Sequence, residues 1–277
     1  MLKEWEKKEK PEDEDLTWRL KAERERLQGE QMKIKEHKLP VLVLVEGWGT
    51  AGKGFLIAQL IKNIDPRFFK VVSVAAPTEE EQRKPFLYRH VVNIPEEGKF
   101  CFLDSGWMDE VVRAKLHKTL DEREYERRVE SIRHFERQLT DNGYLVIKLF
   151  LHIGKKEQEK RIAHLAEKKD TRWRVSSNDE WQNKRYDTCL EAFDSYLKDT
   201  NTSLAPWYII DAQSKKWAEL QALEILNEGI EVALANHATA VPILQNVFPL
   251  KKMPLLSEVD LDQTIEDEEY RKELHQL

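Results

Sequence analysis

Residues 41–54 read VLVLVEGWGTAGKG, a run of β-branched and leucine residues followed by a glycine-rich segment. The apolar run predicts a strand that is buried on both faces, as in a parallel sheet. The segment after it matches the pattern Gly47-x-x-x-x-Gly52-Lys53, in which backbone N–H groups and a lysine ammonium hold nucleotide phosphates at a helix N-terminus. An ordinary phosphate loop then has Ser or Thr to bind magnesium, whereas this chain has Gly54. We therefore predict a phosphate loop whose metal is held by another residue.

Composition limits the classes of protein to be considered. The chain has 277 residues, of which 40% are hydrophobic, so it can form one large or two small domains. Charged residues make up 35%, but both signs are mixed and the net charge is −6, which argues against a general nucleic-acid-binding protein. Cys101 and Cys189 match no metal-ligand spacing, which favours free thiols in a reducing compartment. No apolar stretch is long enough for a membrane span, and the charged N-terminus does not resemble a signal peptide, so we expect a cytoplasmic protein.

Strand and helix patterns alternate along the chain, which is typical of an α/β fold with a parallel sheet, right-handed crossovers and helices on both faces. Residues 110–140 read as one long, highly charged helical region, which ends at Asp141-Asn142-Gly143. Further strands are predicted near residues 69–76, 100–104, 144–153 and 207–211.

Asp104 ends the apolar run of residues 100–103. An acidic residue at a strand end downstream of a phosphate loop is the usual arrangement for binding the magnesium of a nucleotide. A turn aspartate without a metal is the alternative interpretation.

Residues 155–185 are locally basic in an acidic protein. A solvated helix face accounts for some of these charges. Cationic side chains in a lid over the site would also neutralise charge on phosphate oxygens during phosphoryl transfer. Two tryptophans, Trp48 in the loop and Trp173 in this segment, are candidates for contact with a base.

Six segments together resemble the type 2 polyphosphate kinases, and they occur in the family's order. The resemblance implies a three-layer α/β/α phosphate-loop kinase fold with a helical lid. It also implies phosphoryl transfer between inorganic polyphosphate and AMP or ADP, helped by Mg²⁺. The matching segments are residues 46–54, residues 76–80, Leu103-Asp104 with Trp107, residues 134–139, Arg172-Trp173-Arg174 with Ser176 and Asp179, and Ala205-Pro206-Trp207 with Asp211.

The resemblance assigns catalytic roles to Lys53, Asp104 and Arg172, and gives Asp104 the metal as well. The residues expected to bind phosphate or nucleotide are Gly47, Thr50, Ala51, Gly52, Lys53, Gly54, Lys168, Lys169 and Arg174.

Two positions depart from the family's pattern. The family usually has an aspartate where this chain has Gly49, and an arginine where it has Ser105. Loss of a metal-holding carboxylate and of a phosphate-binding arginine would each cost a few kcal/mol of transition-state stabilisation. Such departures resemble the N-terminal half of two-domain polyphosphate:AMP phosphotransferases.

Two hypotheses therefore stay open for the function. One is a polyphosphate-dependent nucleotide phosphotransferase, as the weakly active half of a tandem enzyme. The other is a catalytically degenerate domain that binds polyphosphate or nucleotide, or serves as a structural or dimerisation module. A nucleoside monophosphate kinase is disfavoured by Gly54.

The predicted organisation has three parts. Residues 1–37 form a charged arm and a helix, and residues 38–240 form the kinase-like domain with a lid at about 155–205. Residues 241–277 form a linker and the start of a second copy. We expect a homo-oligomer or a tandem-domain partner, and neither nucleic acid nor membrane as a partner.

Overall fold

Five parallel strands form one sheet, as the alternating pattern predicts. The spatial order is β2-β3-β1-β4-β5, so β1 is central and pairs with both β3 and β4. This register places Val45 of β1 beside Asp104 of β3, which brings the two candidate strand ends together. The strands are β1 Val41–Gly47, β2 Phe69–Ser73, β3 Phe100–Asp104, β4 Leu145–His152 and β5 Trp207–Asp211.

The computed structural model describes residues 1–7, 9–73, 77–239 and 266–274. It divides the chain into a unit Met1–Ala238 and a unit Thr239–Leu277. In the second unit the described residues contain helix α11, Asp267–Leu274. Most of the predicted linker lies outside the described residues.

Ten helices of four or more residues occur in the described chain up to residue 239. The α/β fold with a parallel sheet is confirmed. The helices are α1 Asp13–Glu36, α2 Lys53–Ile61, α3 Glu79–Gln82, α4 Tyr88–Val91, α5 Trp107–Leu116, α6 Glu122–Asp141, α7 Lys155–Glu167, α8 Ser177–Lys184, α9 Tyr186–Thr200 and α10 Lys215–Thr239.

The helical region predicted over residues 110–140 consists of two helices in the structure, α5 and α6, and the sequence did not indicate the break between them. Lys118 adopts a positive φ of 56°, which helical residues do not. Asp121 then accepts a hydrogen bond from the backbone N–H of Glu124 at 2.7 Å and caps the new helix. The heavily charged sequence hid this cap among many other acidic side chains.

A buried ion pair joins the central sheet to α6. The Lys148 ammonium of β4 lies 2.7 Å from Glu136 Oε2 and donates to the Thr200 carbonyl at 2.8 Å. Both charged side chains are almost completely inaccessible. The apolar pattern of β4 is therefore interrupted by a charge that is satisfied inside the core.

The first and last helices of the unit Met1–Ala238 are tied to each other by ion pairs. The Asn227 amide of α10 also donates to the Glu23 carbonyl of α1 at 2.9 Å. The ion pairs join Arg19, Arg24 and Arg26 to Glu224, Glu219 and Glu231, respectively.

Both cysteines are buried free thiols. Burial raises the pKa of Cys101 and of Cys189 to about 11, which keeps both protonated at neutral pH. Among the described residues, no helix combines the length and apolar character that crossing a membrane requires.

Candidate active site

The loop between β1 and α2 has the backbone of an anion cradle. Gly47 and Gly52 have positive φ values of 134° and 100°, and Lys53 is the first residue of α2. An added Cβ at Gly47 would lie 2.3 Å from the Leu151 carbonyl oxygen of β4, so no side chain fits there. Within the described chain, the backbone N–H groups of Thr50, Gly52, Lys53 and Gly54 donate to no other residue. These amides are available to an anion at the start of the helix.

The other two predicted loop residues make internal contacts. The Ala51 N–H donates to the Trp48 carbonyl at 3.2 Å and closes the turn. Gly47 serves the close approach to β4. The Ala51 amide is therefore engaged within the loop, and the free amides on either side of it belong to Thr50 and Gly52.

Lys53 lies within electrostatic reach of two carboxyl groups. Burial raises the pKa of Asp104, and the Lys53 ammonium opposes that rise. Burial also raises the pKa of Glu46 to about 8, with Asp109 adding to the rise and Lys53 again opposing it. An added Cβ at Gly54 would lie 3.5 Å from Asp104 Oδ2, so the loop and this carboxylate are in direct proximity. The structure thus brings together the predicted Lys53, Gly54 and Asp104.

Glu46 is a member of this site that the sequence did not single out by function. Its Oε1 accepts a hydrogen bond from the Gly106 N–H at 2.8 Å, just before the start of α5. Ser105, which follows Asp104 in the turn between β3 and α5, has a positive φ of 62°. A buried acidic residue therefore fixes the turn that follows Asp104.

Arg161 of α7 holds the back of the loop. Its guanidinium donates to the carbonyls of Thr50 at 3.4 Å, Ala51 at 2.9 Å, Ala212 at 2.7 Å and Gln213 at 3.1 Å. The guanidinium thus binds two carbonyls of the loop and leaves its free amides available. Five fixed donors suit arginine to this task, and a lysine could not make all four contacts at once.

Trp48 points into the protein and not toward a ligand. Its indole is completely buried, stacks on Tyr186 with ring centroids 4.1 Å apart, and donates to His152 Nδ1 at 3.1 Å. The hypothesis that Trp48 contacts a base is therefore wrong. Its aromatic character serves to anchor the loop to α9.

The four predicted lid cations occupy the segment between α7 and α8. Lys168, Lys169, Arg172 and Arg174 are all exposed, and none of them is hydrogen-bonded or ion-paired to another described residue through its side chain. The Arg174 guanidinium lies over the ring of Trp173, which is 74% exposed. The structure shows no contact between these cations and the described loop residues, and their role stays a prediction.

The predicted lid also contains a helix of the core. The inner face of α9 is buried and packs against α5 and α6. The exposed part of residues 155–205 is mainly α7, α8 and the turn between them.

The residues near Lys53 fit a magnesium ion that is shared with substrate. Asp104 offers the hard carboxylate oxygen that Mg²⁺ prefers. Among the described residues, no group of three histidine, cysteine or acidic side chains could enclose a metal alone. Mg²⁺ usually binds through one or two carboxylates together with substrate phosphates and water, and this donor set agrees with that chemistry.

A model of the polyphosphate kinase 2 family matches residues 9–238. The chain belongs to this family. The polyphosphate:AMP phosphotransferase of Pseudomonas syringae pv. tomato is 34% identical over 224 residues, which cover 80% of this chain and 45% of that protein. The AMP/ADP-polyphosphate phosphotransferase of Meiothermus ruber is 29% identical over 196 residues, which cover 71% and 73% of the two chains.

The fold of this polyphosphate kinase 2 domain also matches a solved structure. The crystal structure described as a polyphosphate kinase 2 from Pseudomonas aeruginosa superposes with a TM-score of 0.80 at 28% identity. The match covers 84% of this chain and 50% of that one. The chain thus spans about half the length of this protein and of the Pseudomonas syringae relative.

Two further residues of the site come from distant sequence. Asp179 and Gln182 of α8 lie directly against Gly49 of the loop. The sequence did carry a signal for Asp179, since it belongs to one of the segments that resemble the family. Nothing in its spacing indicated which part of the loop it meets.

Proposed function

We propose that this chain transfers a phosphoryl group between inorganic polyphosphate and AMP or ADP. The observation that carries the proposal is the cradle of free amides at the start of α2, with Lys53 in electrostatic interaction with Glu46 and Asp104, in a member of the polyphosphate kinase 2 family. Names of relatives support polyphosphate and AMP or ADP as the substrates.

In the proposed reaction, a phosphate oxygen of the acceptor nucleotide bonds to the terminal phosphorus of polyphosphate, and the bond to the shortened polyphosphate breaks. The loop amides and Lys53 bind phosphate oxygens and orient them. The cations Lys168, Lys169, Arg172 and Arg174 neutralise charge that spreads over the equatorial oxygens. Asp104 would hold Mg²⁺, which would supply positive charge against the phosphate oxygens during transfer.

The wider setting belongs to the same proposal. Buried free thiols support a cytoplasmic location. A relative of about twice the length supports action beside a second domain of the same kind or as a homo-oligomer.

The test compares the native chain with Lys53→Ala and with Lys62→Ala, an exposed residue just after the same helix. Polyphosphate, Mg²⁺ and AMP or ADP are supplied, and formation of the next higher nucleotide is measured. We expect Lys53→Ala to lower the rate by at least about a hundredfold, and Lys62→Ala to leave it unchanged.

A native rate no greater than that of Lys53→Ala would overturn the proposal. If that inactive protein still bound polyphosphate or nucleotide, the degenerate binding domain would be the better account.

A further inference from the structure

The space of a side chain at position 49 is filled by Asp179. An ideal Cβ on Gly49 would lie 1.9 Å from Asp179 Oδ1 and 2.8 Å from its Cγ. Real Cβ atoms never approach other atoms so closely. The carboxylate of a lid helix therefore occupies the place where a loop side chain would begin.

The backbone of Gly49 is also bound by the lid. Its N–H donates to Gln182 Oε1 at 3.0 Å, and its carbonyl accepts from Gln158 Nε2 at 3.2 Å. Asn183 in turn donates to Gln158 Oε1 at 3.1 Å. All these contacts are buried or half-buried. The packing of α7 and α8 against the loop therefore requires glycine at position 49.

Asp179 uses its two oxygens differently. Oδ2 accepts from the Ser176 N–H at 2.7 Å and from the Ser176 hydroxyl at 2.8 Å, which caps α8. Oδ1 accepts no hydrogen bond from the described residues, although the whole residue is only 9% exposed. Oδ1 therefore keeps its acceptor capacity beside the loop, and a carboxylate oxygen in that state can bind a divalent cation.

We propose that Asp179 acts as the carboxylate of the phosphate loop, delivered by α8 and not by the loop itself. It positions Gly49 and stabilises the divalent cation that accompanies bound phosphates. The inference rests on the proposed function, because it assigns a residue to the same phosphate site. The absence of a side chain at Gly49 then leaves the space that the Asp179 carboxylate occupies.

Four variants test the exchange: Gly49→Asp, Asp179→Ala, the double variant, and Ser176→Ala as a control that weakens the cap of α8 but keeps the carboxylate. Mg²⁺ is titrated into each protein with tripolyphosphate present, and binding is followed by calorimetry. Thermal unfolding of each variant is recorded in parallel.

We expect Asp179→Ala to weaken Mg²⁺ binding by at least about tenfold, and Ser176→Ala to change it less than about twofold. Gly49→Asp should weaken binding and lower the melting temperature, because its side chain overlaps Asp179. The double variant should bind Mg²⁺ more tightly than either single variant and regain the melting temperature lost by Gly49→Asp. Equal binding by Asp179→Ala and the native chain, or a double variant no better than Gly49→Asp, would overturn the inference.

The two proposals fail in different ways. A native chain that binds Mg²⁺ with tripolyphosphate but transfers no phosphoryl group overturns the proposed function alone. A native chain that transfers the group, with no loss of Mg²⁺ binding in Asp179→Ala, overturns only the role of Asp179.

Discussion

Glu46 Oε1 lies 2.8 Å from the backbone nitrogen of Gly106, and this hydrogen bond joins the ends of β1 and β3 beneath the phosphate loop. The bond holds an acidic residue in a site that burial makes unfavourable for its charge. The pKa of Glu46 is accordingly about 8, compared with an ordinary value of 4.5.

The raised pKa of Glu46 predicts how stability depends on pH. Between pH 4.5 and about 8 the folded state binds one proton more than the unfolded state, so the free energy of unfolding falls as pH rises. The slope from this group is at most about 1.4 kcal/mol per pH unit. We expect Glu46→Gln to flatten the profile in urea unfolding from pH 5 to pH 8.5, without nucleotide. The exposed variant Glu130→Gln should keep the native slope, and an unchanged slope in Glu46→Gln would refute the assignment.

Three glycine-to-alanine variants distinguish the effect of available space on stability from the effect of backbone conformation. Gly29 lies in α1 with nothing near its missing Cβ, so alanine there should stabilise the protein by about 0.5–1 kcal/mol. Gly52 also has room, but its positive φ should cost about 1–2 kcal/mol. Gly47 combines a positive φ with overlap on the backbone of Leu151 and should cost more than Gly52. Chemical denaturation ranks the three, and a Gly47 variant as stable as the Gly52 variant would contradict the described strand contact.

The pair of Lys148 and Glu136 predicts strong coupling in the core. Lys148→Met leaves a buried carboxyl group without its partner, and Glu136→Leu does the same to the ammonium. Each should destabilise the fold by about 3–5 kcal/mol. The double variant should be more stable than either single one, because an apolar pair leaves no unpaired charge. A double-variant cycle in urea measures the coupling, and additive losses would show that the pair does not act as a unit.

Arg161 predicts that the loop depends on a residue behind it. Arg161→Ala removes the donor for four backbone carbonyls and should destabilise the protein by about 1–3 kcal/mol. It should also weaken tripolyphosphate binding, because the loop amides lose their fixed orientation. Lys160→Ala, at the exposed neighbouring position, is the matched control. Equal binding by the two variants would place the support of the loop elsewhere.

The parts of the site that sequence predicts best are local. The strand β1, the loop and the start of α2 follow each other within 41–61, and their apolar and glycine pattern requires no knowledge of distant residues. Asp104 could also be anticipated, because carboxyl ends of neighbouring parallel strands meet at one edge of the sheet.

The parts that sequence misses depend on contacts between distant segments. Gln182 reaches Gly49 across 133 residues, and no periodicity encodes which loop atom it binds. The position of Trp48 predicts a loop residue, yet its indole stacks on the ring of Tyr186 and is buried in the core. The interruption between α5 and α6 was missed for another reason: Asp121 is one acid among many, and only its geometry marks it as a cap.

The pairing of α1 with α10 has a consequence for synthesis of the chain. Arg19 and Glu224 are 205 residues apart in sequence, so α1 leaves the ribosome long before its partner exists. At about 5–20 residues per second, this delay is on the order of ten to forty seconds. During that interval the arginines of α1 have no α10 carboxylates to pair with, so a nascent chain stalled before residue 215 would lack the ion pairs that join the two helices.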